Sequence, residues 1–220
     1  MRDLLKYFVL GFSALLPVIN PLGSALIFLG VVGNAPADTF RNLARRIAIS
    51  TTLFLGLIEL IGATLLTFFG ISLPVVQLAG GLVLAAMGWG LLQEKSTGDE
   101  EEAAKQAHHG GGALEDKIFY PLTFPITAGP GCIVVMLTLG AHASRRGVLN
   151  NVLAHVGITI SIVAVSFTIL LSYTYAPKIA KKIAPQTVQG ILRVIAFVLL
   201  CIGVQIAWNG LEALVKSMSK

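Results

Sequence analysis

The chain has 220 residues, of which 55% are hydrophobic and 12% charged, with a mean hydropathy of +0.81. Soluble domains average about 45–50% apolar and about 25% charged residues, so a soluble domain and a disordered chain are both excluded. The formal net charge of +5 comes from Lys and Arg grouped between apolar runs, which fits membrane flanks and not a nucleic-acid-binding stripe with interleaved aromatics.

A membrane-spanning helix needs about 20 mostly apolar residues. No charged residue occurs between Tyr7 and Ala37, which predicts a first span. Arg2 and Lys6 precede it as they would a secretory signal, but the run continues through Pro21 and Phe28 without a small-residue cleavage site, so a span is expected. The next run, Ile47 to Gln93, is interrupted only by Glu59 and is too long for one helix. Gly70-Ile71-Ser72-Leu73-Pro74 divides it into spans near 47–69 and 73–93. Residues 94–117, with Asp99-Glu100-Glu101-Glu102 and His108-His109-Gly110-Gly111-Gly112, read as a polar linker. The His pair lacks a partner set for a metal. Three further spans follow, at 118–144, at 147–177 and between Arg193 and Glu212. Cys132 and Cys201 fall inside apolar runs, which implies neither a disulfide framework nor a metal site, and no cofactor is expected.

Basic residues set the orientation. Arg2, Lys6, Arg145, Arg146, Lys216 and Lys220 fall on one side. Arg41, Arg45, Arg46, Lys95, Lys105, Lys117, Lys178, Lys181 and Lys182 fall on the other. The richer side is expected to face the cytoplasm, which makes the linker cytoplasmic and both termini extracytoplasmic in the cytoplasmic (inner) membrane.

The linker divides the chain into residues 1–93 and 118–220, three spans each. Pro17-Val18-Ile19-Asn20-Pro21-Leu22-Gly23 opens the first half and Pro125-Ile126-Thr127-Ala128-Gly129-Pro130-Gly131 the second. Gly81, Ala85 and Gly88 in the third span match Ala196, Leu200 and Gly203 in the sixth. Two halves with an odd number of spans must enter the membrane from opposite sides. The expected architecture is therefore an all-α membrane protein of six transmembrane helices, arranged as two inverted three-helix repeats with the first helix of each repeat broken. Such repeats are typical of secondary transporters, with the substrate near the midplane.

Pro17, Pro21, Pro125 and Pro130 are the expected helix breakers. Pro17 and Pro21 remove the helical donors to the carbonyls of Ser13 and Pro17, and unpaired backbone survives at membrane depth only within protein or along a wet cavity. Gly23, Gly129 and Gly131 permit close approach to a ligand. Each broken span then offers N–H groups at one half-helix and carbonyls at the other, a match for a zwitterion. Asn20, Pro21, Gly23, Thr127, Ala128, Gly129 and Gly131 form the expected substrate site. A single Pro/Gly motif would usually mean a kink; two similar motifs at equivalent spans favour a site.

Leu16-Pro17-Val18-Ile19-Asn20-Pro21-Leu22-Gly23, Ala79-Gly80-Gly81, Pro121-Leu122 through Ala128-Gly129-Pro130-Gly131, and Gly203-Val204-Gln205 with Asn209-Gly210 resemble the MarC/SnatA membrane proteins over essentially the whole chain. The resemblance implies six transmembrane helices and transport of small neutral amino acids such as glycine and alanine, coupled to protons. Ala196 departs from the glycine expected there and suggests looser packing. A channel on the same repeat and a non-transporting scaffold are the alternatives, and a homo-oligomer stays open.

Glu59 is the only acidic residue deep in a span. With Thr52, Gly56, Ala63 and Thr67 it forms a small and polar stripe expected to face the bundle. It serves as a coupling group or as a buried acid hydrogen-bonded to a neighbouring helix, the second being preferred. His155 is read as interfacial and Arg193 as a snorkelling anchor. No His-Glu-x-x-His, Gly-x-Ser-x-Gly or P-loop motif occurs, so no enzyme is expected.

Overall fold

The structure is a computed structural model that describes residues 2–33, 35–93, 116–143 and 148–218. Nearly all of the expected linker, including the acidic run and the His pair, lies outside the described residues, as do Arg145 and Arg146. The described residues are helical throughout, with no strand among them. In chain order the elements are α1 (Arg2–Ile19), α2 (Pro21–Val32), α3 (Ala37–Phe68), α4 (Leu73–Gln93), α5 (Ile118–Thr127), α6 (Pro130–Ala143), α7 (Val148–Thr174), α8 (Ala176–Lys182) and α9 (Pro185–Met218). Four helices, α3, α4, α7 and α9, are long and apolar enough to cross a membrane singly. The pairs α1–α2 and α5–α6, bent by 40° and 70°, bring the number to six if each pair is one span.

Two helices extend well past their apolar stretches. α3 begins ten residues before Ile47, because Phe40, Leu43, Ala44 and Ile47 keep one buried stripe running while Arg41, Arg45 and Arg46 lie on the rest of the helix. α9 likewise runs past Arg193 and Glu212 at its two ends. Hydropathy finds the greasy part of a helix, whereas the backbone continues as long as one face stays apolar. The turn between α3 and α4 falls where expected. Gly70 adopts φ 66, and the Ile71 N–H closes on the Leu66 carbonyl at 2.9 Å. This is the left-handed residue that ends many helices.

α4 and α9 pack antiparallel with their backbones nearly in contact. A Cβ added at Gly88 would lie 2.5 Å from the Leu200 nitrogen, one at Gly81 2.6 Å from the Gly203 carbonyl, and one at Gly210 2.6 Å from the Leu78 nitrogen. Small residues at such a crossing let dispersion contacts between backbones replace the hydrophobic drive that lipid removes. Ala196 is fully buried in this seam, and its carbonyl lies 2.9 Å from a Cβ placed at Gly88, so the looser packing expected there does not occur. α1 packs on α7, with Gly157 against the Leu4 carbonyl, and α3 packs on α6, with Gly62 against Leu137 and Gly140 against the Glu59 carbonyl. Large apolar side chains such as Leu60, Phe68, Val194 and Phe197 point outward, which suits a lipid-facing surface and no aqueous one.

Candidate functional site: the junction of two broken helices

The first break falls at Asn20. Helix α1 runs through Pro17 to Ile19, and the Asn20 N–H still donates to the Leu16 carbonyl at 3.0 Å. Pro17 therefore does not break the helix as expected; near a helix end the single bond it removes is tolerable inside a protein-packed span. Asn20 itself takes the left-handed conformation, φ 46 and ψ 67, which asparagine accepts better than other residues with a Cβ. Its Oδ1 accepts the Gly23 N–H at 3.2 Å and caps α2, while its carbonyl accepts from both the Ser24 N–H and the Ser24 hydroxyl at 2.9 Å. Pro21 sits at the start of α2, where its missing N–H has no helical partner to lose. A Cβ at Gly23 would lie 3.0 Å from the Asn20 Cγ, so glycine there makes room for the cap.

The second break is built differently. Prolines push the residue before them into extended backbone, and Tyr120 and Phe124, which precede Pro121 and Pro125, have φ/ψ of −119/123 and −123/126. α5 consequently winds wide. The Leu122 N–H reaches back five residues to the Lys117 carbonyl at 3.1 Å, and the Ala128 N–H to Thr123 at 2.8 Å. The carbonyls of Ile118 and Leu122 are taken by the hydroxyls of Thr123 and Thr127 at 2.7 and 2.6 Å. The repeated Pro-apolar-Thr triplets, Pro121-Leu122-Thr123 and Pro125-Ile126-Thr127, each remove an N–H and supply a hydroxyl. Pro130 opens α6 as Pro21 opens α2.

The two breaks meet. A Cβ at Gly131 would lie 3.0 Å from Val18 Cγ1 and would overlap Leu84 of α4, and one at Gly23 would lie 3.2 Å from Leu192 of α9. Tyr173 of α7, fully buried, joins them. Its phenol lies 2.7 Å from the Thr127 hydroxyl, with the Ser24 side chain nearby, and its ring stacks on Phe28 at 4.5 Å. Ser24, Tyr173 and Thr127 own three hydroxyl protons between them. With Ser24 donating to the Asn20 carbonyl and Thr127 to the Leu122 carbonyl, the Tyr173 proton goes to Thr127 and none is left for the Ser24 oxygen. The cluster has a surplus of acceptors.

Of the expected site residues, Gly23, Thr127, Ala128 and Gly131 are buried at this junction, Asn20, Pro21 and Gly129 are half-buried there, and Pro125 and Pro130 turn exposed surface outward. Ser24, Tyr173, Leu84 and Leu192 were not legible as members. Ser24 follows Asn20 by one turn, a weak signal; nothing in the sequence singles out Tyr173. Because Tyr173 is the penultimate residue of α7 and Leu192 the eighth of α9, the junction lies toward the α8 end of the bundle. On the opposite side of the breaks, α1, α6 and α9 enclose a cleft of about 300 Å³ walled mainly by apolar groups, with Ser13, Thr138 and Gln205 among its lining. Gln205 donates to Asn209 at 2.9 Å, and Asn209 lines a second cleft of about 230 Å³ with Gln77, His142 and Glu212.

Glu59 lies elsewhere. Its buried neighbours along α3 are Thr51, Leu55 and Gly62, whereas Ala63 and Thr67 of the expected stripe are exposed. Its carboxylate pairs with the Nδ1 of His155 on α7, so His155 is no simple interfacial residue. No group of three or more metal-binding side chains occurs among the described residues.

A family model for MarC family integral membrane proteins matches residues 5–215. The chain is 28% identical over 219 residues to the inner membrane protein MarC of Salmonella typhimurium (strain LT2), and 30% identical over 223 residues to that of Citrobacter koseri. It is 28% identical over 224 residues to that of Escherichia coli O1:K1. Each match covers 99% of both chains. No solved structure gives a significant match.

Proposed function

The chain belongs to the MarC family of integral membrane proteins, and from that premise we propose that it is a secondary carrier of small neutral amino acids, glycine and alanine foremost. It works by alternating access and has no catalytic step. The observation that supports this most is the hydroxyl cluster at the meeting point of the two breaks, where Tyr173 bonds Thr127 beside Ser24. Its acceptor surplus suits a ligand that arrives with N–H donors, and the N-termini of α2 and α6 suit a carboxylate. Asn20, Leu192, Val18 and Leu84 close over Gly23 and Gly131 here, so a ligand admitted when the junction opens would carry little or no side chain. The tight closure of the junction beside open clefts on the other side of the breaks fits one state of a carrier cycle.

The two halves, 1–93 and 118–220, are read as inverted repeats joined by a cytoplasmic linker at 94–117. Exchanging the halves turns the α1–α7 contact into the α5–α3 contact and the α2–α7 contact into the α6–α3 contact, and leaves α4–α9 unchanged, a pattern that supports a two-fold relation between them. The relatives bear the words "inner membrane protein", and the cytoplasmic (inner) membrane is the proposed location, with both termini extracytoplasmic. The lipid bilayer is the surrounding partner; nucleic acid has no place in this reading.

Counterflow with purified protein in liposomes, across a panel of labelled amino acids, tests the proposal. Accumulation of labelled glycine or alanine against an internal pool of the same solute is expected. Electrical currents beyond carrier turnover would replace the reading with a channel. Absence of both, with the protein stably inserted, would leave a scaffold.

A further inference from the structure

We propose that Glu59 and His155 form a single proton-binding site that clasps α3 to α7. The Glu59 side chain is 2% exposed and the His155 side chain 29% exposed, and the carboxylate Oε1 meets the imidazole Nδ1. Glu59 lies nine residues inside the end of α3 and His155 seven inside the start of α7, roughly 10–13 Å from the helix ends at 1.5 Å per residue. Buried between two helices, a lone carboxylate is strongly disfavoured, so the pair holds together as a neutral unit. Two proton placements give that unit: carboxylate with imidazolium, or carboxylic acid with neutral imidazole. Removing the one shared proton leaves a net negative charge in an apolar seam, which favours parting of α3 from α7 or admission of water. Proton binding therefore closes the clasp and proton loss loosens it. The imidazole, being the partly exposed member, is the side from which the proton arrives.

The neighbouring elements bring few other titratable groups. On α1 these are Arg2, Asp3, Lys6 and Tyr7; Tyr7 lies against Gly157 and donates to the His142 carbonyl on α6 at 3.1 Å. α6 carries His142 itself and Cys132, and α5 carries Tyr120. α2, which also packs on α7, carries none, and α8 carries Lys178, Lys181 and Lys182 at the far end.

Glu59 and the helix-break junction lie apart. Tyr173 follows His155 by 18 residues on one unbroken helix, about 27 Å along its axis. A proton at the clasp thus never touches the substrate. It biases which position α7 adopts, and α7 holds Thr127 through Tyr173. The transport consequence rests on the carrier reading above; the binding of the proton does not.

The test uses the full-length protein with Glu59→Gln, His155→Gln and, as a control, His142→Gln. Each Gln keeps hydrogen-bonding capacity without charge. In liposomes, accumulation driven by a pH gradient is expected to vanish in Glu59→Gln and His155→Gln and to persist in His142→Gln. Counterflow at equal pH should persist in all three. Undiminished gradient-driven accumulation in Glu59→Gln overturns the proposal. If the unmodified protein shows no counterflow, the carrier reading fails, and infrared difference spectra between acidic and alkaline pH still decide the clasp. A shared site gives histidine-ring and carboxyl bands that change at one midpoint in the unmodified protein, with Glu59→Gln moving the midpoint of the ring bands. Ring bands whose midpoint Glu59→Gln leaves in place overturn it.

Discussion

Removing the Tyr173 hydroxyl isolates the link between the two breaks. In Tyr173→Phe the ring keeps its stack on Phe28 and its buried volume, so only the phenol oxygen is lost. Ser24 and Thr127 retain the Asn20 and Leu122 carbonyls as acceptors, at 2.9 and 2.6 Å, so no donor is stranded. The loss is then that of one net hydrogen bond, about 1 kcal/mol. Thr127→Val is worse. It removes the hydroxyl's bond to the Leu122 carbonyl together with its bond to Tyr173, about 1 kcal/mol each and about 2 kcal/mol in all. If the two hydroxyls are bonded, the double variant loses about 2 kcal/mol, not the additive ~3, giving a coupling of about 1 kcal/mol. Reversible unfolding in mixed detergent micelles, followed by circular dichroism, measures all four corners of the cycle. A coupling below about 0.3 kcal/mol, within ordinary additivity, would refute the linkage. In counterflow, a ligand that uses the phenol should bind Tyr173→Phe roughly five-fold more weakly, the equivalent of about 1 kcal/mol. Unchanged affinity would remove Tyr173 from the site and leave it as a structural bridge.

Three further outcomes are expected. Asn20→Gly keeps the left-handed backbone and loses only the cap, so its stability should fall by less than about 1 kcal/mol, whereas Asn20→Ala adds a left-handed penalty and should lose about 2 kcal/mol in the same unfolding assay. Gly88→Ala and Gly203→Ala force a Cβ against the facing backbone and should each cost about 1–3 kcal/mol. Gly90→Ala, with open space around it, should cost nothing; equal losses at all three positions would contradict the α4–α9 seam. In a variant without Cys132 and Cys201, Met218→Cys should react with an impermeant thiol reagent on whole cells and Lys182→Cys should not, and the reverse pattern would invert the proposed orientation.

Much of this protein is written locally. The apolar runs, the Gly70 turn, the Pro/Gly motifs and the small residues of α4 and α9 were readable because each reports a property of its own segment: transfer into lipid, a missing N–H, a permitted backbone angle, a small radius. They placed the spans and put Asn20, Gly23, Thr127 and Gly131 at the breaks. Pro17 shows the limit of the same reasoning. A proline signals a lost bond, but whether the helix stops there depends on what surrounds it, and here the stop waits for Asn20.

What only the tertiary structure decided is which side chains meet across helices. The sequence stripe from Thr52 to Thr67 is sound as a helical period, yet the face that α3 buries is Thr51, Leu55, Glu59 and Gly62, since the rotation of a helix is fixed by the neighbours that pack on it. Glu59 and His155, separated by 96 residues, and Thr127 and Tyr173, separated by 46, become partners for that reason. In a bilayer the hydrophobic effect drives each helix into lipid without choosing its neighbours. That choice is left to close packing and to buried polar groups seeking one another, and both exist only once the helices are assembled.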